Sequence, residues 1–168
     1  MQRRTLLALG LVSSALLIVA GGTAALLQPG LRAGVLTSNG REVFTAIARA
    51  ILDKTLPADS AARTTELIGL LDRINGLVSA LPPHAQTELS QLLSLLGSTA
   101  GRNTLAGLST PWPEAEIEQV QQALQGMRLS SLALRQQAYA ALHDITAGAY
   151  FSDPSSWPLL GYPGPLKI

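Results

Sequence analysis

Two histidines, His84 and His143, are the side chains best suited to acid–base or metal chemistry. A zinc site needs three or four N, O or S ligands at suitable spacing, and neither histidine has such neighbours in the sequence. Asp144 follows His143, but adjacent residues of a helix point about 100° apart, so we expect this pair not to interact. The chain contains no cysteine, which excludes disulfides, thiolate metal sites, covalent c-type haem and cysteine nucleophiles.

The remaining polar clusters are typical of caps and turns. The acidic run Glu114, Glu116 and Glu118 suits the positive end of a helix dipole better than a metal site. The serine pairs at 130–131 and 155–156 suit caps and turns, and the glycines at 97, 101 and 107 form no phosphate-binding pattern after a strand. We therefore expect no catalytic residue, no cofactor and no metal in this chain, and predict that it is not itself an enzyme.

The first 30 residues have the composition of an export signal. Arg3 and Arg4 precede an uncharged, mostly apolar run over residues 5–27, which is about long enough to cross a bilayer as a helix. The arginine pair, with Leu6 two residues after it, resembles a twin-arginine signal; an ordinary secretory signal is the alternative. We expect residues 1–30 to be a signal peptide or a retained membrane anchor, with the rest of the chain in the periplasm.

Residues 31–150 predict an all-α domain, a compact bundle of about five helices. Prolines at 57, 82, 83 and 154 separate the periodic segments, and no run alternates long enough to indicate a sheet. The predicted helices cover residues 40–55 capped by Asn39, 61–81, 84–96, a fourth that begins near Pro113, and a fifth from 130 or 131 to 150. Leu77 and Leu132 are among the residues expected to face the core, and residues 97–110 are expected to form a loop. A net charge of +1 gives no sign of nucleic-acid binding.

The C-terminal segment 151–168 is stiff and aromatic. The stretch "AYFSDPSSWPLLGYPGP", residues 149–165, holds four aromatic residues and four prolines. Proline restricts the backbone and removes amide donors, so we expect an extended tail. The tail is too short to bury its own rings, so Trp157 and Tyr162 are expected to lie against another surface. That surface is either the helices of this domain or a partner protein.

The same stretch resembles the C-terminal signature of the gluconate 2-dehydrogenase subunit 3 family, the small subunits of membrane-bound FAD-dependent dehydrogenases. The matching residues are Tyr150, Phe151, Ser152, Asp153 and Pro154, and then Gly161, Tyr162, Pro163, Gly164 and Pro165. The stretch "AILDKTLPAD", residues 50–59, is similar to the family's early helix and turn, although Ser60-Ala61-Ala62 replaces the proline and glycine usual after it. Between residues 60 and 145 only the helical pattern agrees.

The resemblance implies a non-catalytic small subunit of a periplasmic dehydrogenase complex. Its partner would be a large subunit of the glucose-methanol-choline type that holds FAD and is exported together with the small one. A c-type cytochrome subunit often takes the electrons in such complexes, and the twin-arginine machinery is a further expected partner. The residues expected to contact the large subunit are Tyr150, Phe151, Asp153, Pro154, Trp157, Tyr162 and Pro163.

Two other function classes stay open from the sequence. The first is a membrane-anchored periplasmic scaffold or interaction protein without a redox partner. The second is a self-sufficient enzyme, which the missing catalytic set disfavours. A neighbouring reading frame that encodes a flavoprotein without its own signal would separate the dehydrogenase subunit from the scaffold.

Overall fold

The computed structural model describes residues 28–164, and Arg3, Arg4 and Leu6 of the predicted export signal lie outside this range. The described chain is mostly helical, as an all-α bundle requires. Its elements, in order, are the strands β1 (Leu31–Arg32) and β2 (Val35–Leu36), the helices α1 (Ser38–Ile51), α2 (Ser60–Ser79), α3 (Pro83–Gly97), α4 (Ile117–Arg128) and α5 (Ala133–Phe151), and a 3₁₀ helix (Pro154–Leu160). Within residues 28–164, no helix is both long enough and apolar enough to span a bilayer.

Helix α1 is the centre of the bundle, because it packs against α2, α3, α4 and α5. Its apolar stripe, Val43, Phe44 and Ile47, is completely buried. The other helices add fully buried side chains at the spacing of one helix face: Leu70, Ile74 and Val78, Leu93 and Leu96, Val120 and Met127, and Leu142. The core prediction is wrong for two residues. Leu77 is 42% exposed, and Leu132, which precedes α5, is 62% exposed.

The helix starts follow from capping chemistry. Asp59 caps α2 by accepting a hydrogen bond from the N–H of Ala62 at 2.8 Å, and Pro83 stands at the first position of α3. The predicted cap of α1 is wrong: Thr37, not Asn39, occupies that position. The Asn39 amide instead donates to the carbonyl of Leu93 at 3.1 Å and so ties α1 to α3. Both residue types cap well, so local sequence did not separate them.

Two local elements differ from the sequence prediction. Strands β1 and β2 form a small antiparallel hairpin that pairs Leu31 with Leu36, and two-residue strands are too short to show an alternating pattern. The expected loop over residues 97–110 is partly helical, with one turn over Thr99–Gly101 and a π-helical turn over Arg102–Ala106. The buried Arg102 guanidinium holds this segment by donating to the carbonyls of Leu108 and Ser109, each at 3.2 Å.

The tail is not extended, which corrects the sequence prediction. Pro154–Leu160 forms a 3₁₀ helix that Asp153 caps and Pro154 begins, and Gly161 ends it with a φ of 65°. Proline at the first helical position costs no hydrogen bond, because that amide would have no partner within the helix. Proline therefore starts this short helix instead of preventing it.

Candidate functional site

The first two aromatic residues of the motif belong to the domain itself. Tyr150 is 5% exposed, and its hydroxyl donates to the carbonyl of Thr55 at 3.2 Å. The Phe151 ring is partly buried and stands edge-on to Tyr150, with ring centroids 5.1 Å apart. Tyr150 therefore contributes to the core and offers no surface to a partner, contrary to its expected role as a contact residue.

Asp153 is held between the bundle and the tail. Its carboxylate accepts from the Arg73 guanidinium at 2.9 Å and from the backbone N–H of Ser155, also at 2.9 Å. Arg73 also donates to the carbonyl of Ala149 at 3.0 Å and pairs with Glu66 at 2.6 Å. One guanidinium thus fixes the end of α5 and the start of the tail against α2.

The surroundings of Asp153 favour its ionised form. The hydrogen bond from the backbone N–H of Ser155 lowers the pKa of Asp153 below its ordinary value. The Ser155 side chain and the positive charge of Arg73 act in the same direction, while partial burial opposes them. The carboxylate therefore stays charged at neutral pH, where it can cap the 3₁₀ helix and bind Arg73.

The remaining motif residues form a surface, which we call the tail patch: Pro154, Trp157, Pro158, Tyr162 and Pro163. These residues line one shallow depression. Trp157 is partly buried, and its indole N–H donates to the carbonyl of Phe151 at 3.0 Å. Tyr162 is 47% exposed and meets the Trp157 ring edge-on at 5.3 Å. The prolines are exposed. The tail patch is thus a surface of aromatic and proline side chains.

The two stretches that carry the family resemblance meet in the structure. The hydrogen bond from Tyr150 to Thr55 joins the tail motif to the turn within residues 50–59, across 95 positions of sequence. The first stretch begins in the last turn of α1 and continues past its C-terminal end, and Tyr150 contacts it there.

Sequence reasoning missed two residues that position this site. Arg73 lies on α2, 80 residues from Asp153, and an isolated arginine on a helix gives no sign of a distant partner. Ser156 was expected to be a simple turn residue, yet it is 4% exposed, and its hydroxyl donates to the carbonyl of Asp153 at 2.7 Å. The proximity of Asp153 to a serine-rich turn was the one visible signal, since Asp commonly caps such turns.

The polar clusters considered for catalysis are separate from the tail patch. His143 and Asp144 do interact, with Nδ1 and Oδ1 3.1 Å apart, which corrects the expectation that adjacent helical residues cannot meet. Both side chains are exposed on α5, where His143 stacks on Tyr139. Glu116 is the N-cap of α4, and its N–H donates to the side chain of Gln119 at 3.0 Å. Across residues 28–164, no three His, Asp or Glu residues converge as metal ligands.

No protein-family model matches the chain, and no curated protein or solved structure does either. The likeness to the gluconate 2-dehydrogenase subunit 3 family therefore rests on the two sequence stretches and the arginine pair, and it stays a prediction.

Proposed function

We propose that this chain is a non-catalytic small subunit of a periplasmic FAD-dependent dehydrogenase of the glucose-methanol-choline type. It escorts the flavoprotein subunit through twin-arginine export and stabilises it afterwards. FAD belongs to the partner, a c-type cytochrome subunit completes the complex in many such systems, and residues 1–30 supply the export signal or the anchor.

The observation that carries the proposal is the meeting of the two motif stretches at one end of the bundle. The hydrogen bond between Tyr150 and Thr55 joins the turn within residues 50–59 to the base of the tail. A motif that served only the protein's own core would bury its rings. Here Tyr162 stays 47% exposed beside the partly buried Trp157. Tyr and Trp side chains often dominate the binding energy at interfaces.

The test is export of the pair. Replacing Arg3 and Arg4 together by lysine is expected to leave both this chain and its flavoprotein in the cytoplasm, folded and associated, because the twin-arginine route depends on the arginine pair. Cell fractionation followed by mass spectrometry shows in which compartment the two proteins lie. A visible flavin spectrum of the co-purified complex shows whether they are associated. If both proteins reach the periplasm normally with the lysine pair, the escort role is wrong. If the chain co-purifies with proteins but with no flavin, the scaffold alternative replaces the dehydrogenase subunit.

A further inference from the structure

The connection between α4 and α5 presents two leucines to solvent. Leu129 directly follows α4 and is 68% exposed, and Leu132 directly precedes α5 and is 62% exposed. Within residues 28–164, these are the two most exposed large apolar side chains. A single exposed leucine is ordinary, but two leucines in one short turn form an apolar patch, and such a patch indicates contact with a partner or a membrane. We call residues 129–132 the leucine turn.

The polar groups of the leucine turn are bonded within the protein. The hydroxyl of Ser130 accepts from the N–H of Leu132 at 3.2 Å, and the carbonyl of Ser130 accepts from the side-chain amide of Gln136 at 2.7 Å. These bonds hold the backbone of the turn in place while both leucine side chains stay outside. The exposure of the leucines is therefore part of how the turn is built.

Arginines flank the leucine turn on both sides. Arg128 is exposed, and Arg135 is partly buried and donates to the carbonyl of Leu105 at 2.8 Å. None of the ion pairs found in the described part of the chain involves either arginine. Residues 119–143 contain no Asp or Glu, and residues 89–113 contain none either. The patch therefore combines apolar side chains with positive charge that no nearby carboxylate in the sequence offsets.

The first residue that the structure describes lies near the same segment. Gln28 lines a depression together with Gly97 and Thr99 at the end of α3. The helical turns from Thr99 to Leu105 span roughly 10 Å, and the carbonyl of Leu105 is the one that Arg135 binds. An anchor in residues 1–27 would therefore hold this part of the domain close to a membrane.

We propose that the leucine turn docks on an anionic lipid surface. Leu129 and Leu132 would enter the boundary between headgroups and acyl chains, and Arg128 and Arg135 would bind lipid phosphate groups. A lipid surface accepts projecting side chains without a complementary pocket, whereas a stable protein interface needs about 800 Å² on each partner. The arginines favour anionic over zwitterionic lipid. This docking goes beyond the proposed function, because it involves no flavoprotein.

The experiment places a fluorescent label in the leucine turn. The chain has no cysteine, so Ser131→Cys, at an exposed position between the two leucines, gives a single labelling site. The full chain carries an environment-sensitive nitrobenzoxadiazole label at this site. It is placed in nanodiscs of phosphatidylcholine with or without phosphatidylglycerol. Ala61→Cys, labelled at an exposed position at the start of α2, is the matched control and carries the same residues 1–27.

The label of Ser131→Cys is expected to shift its emission to the blue and to be quenched by spin-labelled lipid, more strongly with phosphatidylglycerol present. The label of Ala61→Cys should show neither effect. Arg128→Gln should lower the ratio of docked to undocked chain about fivefold in the anionic discs. Lys54→Gln removes an exposed cation after α1 and should leave that ratio unchanged.

A variant of the leucines tests the apolar part of the contact. Leu129→Ser combined with Leu132→Ser should abolish the blue shift with the far-UV spectrum unchanged, because neither side chain belongs to the core. Equal responses in the two lipid mixtures, or equal responses of the two labels, would overturn the proposal. A label at Ser131→Cys that is shielded only when the flavoprotein binds would assign the patch to a protein interface instead. The lipid measurements use this chain alone, so their failure leaves the proposed function to its own test.

Discussion

Removal of the tail is expected to leave the bundle folded, and the structure sets the size of the effect. A chain that ends at Asp153 keeps every core residue whose burial the structure describes, the last of which is Phe151. The main loss is Trp157, which is partly buried and donates to the carbonyl of Phe151. Burial of roughly 150 Å² of an indole stabilises by about 4 kcal/mol at about 25 cal/mol per Å².

The cost of ordering the tail reduces this figure. Each residue fixed in the 3₁₀ helix Pro154–Leu160 costs about 1 kcal/mol of backbone entropy, although its prolines lose less than other residues. Over the seven residues of this helix the cost is about 7 kcal/mol at most, which offsets the gain from Trp157, so we expect the truncation to change the free energy of unfolding by no more than about 3 kcal/mol in either direction. Urea unfolding followed by circular dichroism measures this difference, with the full chain as reference. A truncated chain without helical signal would refute the reasoning, because it would make the tail part of the core.

Two further predictions concern the bundle and its pH dependence. Gly101→Ala should destabilise the chain by about 1–3 kcal/mol, because the new Cβ would clash with the backbone carbonyl of Leu95. Gly76→Ala lies inside α2 with open space around it and should stabilise the chain by about 0.5–1 kcal/mol. Thermal melts of both variants measure the sign of each change, and destabilisation by both would contradict the prediction. The lowered pKa of Asp153 means that its contribution is complete above the unfolded-state pKa of about 3.9 and is lost as the pH falls through the folded value. Asp153→Asn should therefore flatten the acid limb of the stability curve, and an unchanged limb would show that the carboxylate contributes nothing.

The periodic helices could be predicted from the sequence because their signals are local. The prolines at 57, 82 and 83 separated the periodic segments correctly, and α2 and α3 each begin within one residue of the predicted positions 61 and 84. The errors fell where tertiary packing overrides local preference. Leu132 fits an apolar stripe but precedes the first turn of α5, and Asn39 is a good cap used instead to join two helices. Neither difference has a signature within a few residues of sequence.

Local sequence shows where the aromatic and proline residues of the candidate site lie, but not which of them are buried. It did not separate Tyr150, which is buried, from Tyr162, which is exposed. Tyr150 contacts Thr55 across 95 positions and Asp153 contacts Arg73 across 80, and neither contact has a local signature. The sequence does not indicate the 3₁₀ helix, because proline favours an extended backbone and also suits the first position of a helix.

The most direct test of the central claim is the amount of flavin that co-purifies with this chain when the tail patch is altered. Tyr162→Ser removes an exposed ring that forms no part of the core, and Leu129→Ser removes a 68% exposed side chain at the other end of α5 as a matched control. A ring that anchors an interface contributes about 2 kcal/mol or more, so Tyr162→Ser should weaken the complex at least about tenfold. We expect flavin absorbance to be lost from the Tyr162→Ser preparation and kept in the Leu129→Ser preparation. Equal flavin in both preparations, at the level of the native chain, would contradict a role of the tail patch in binding the flavoprotein.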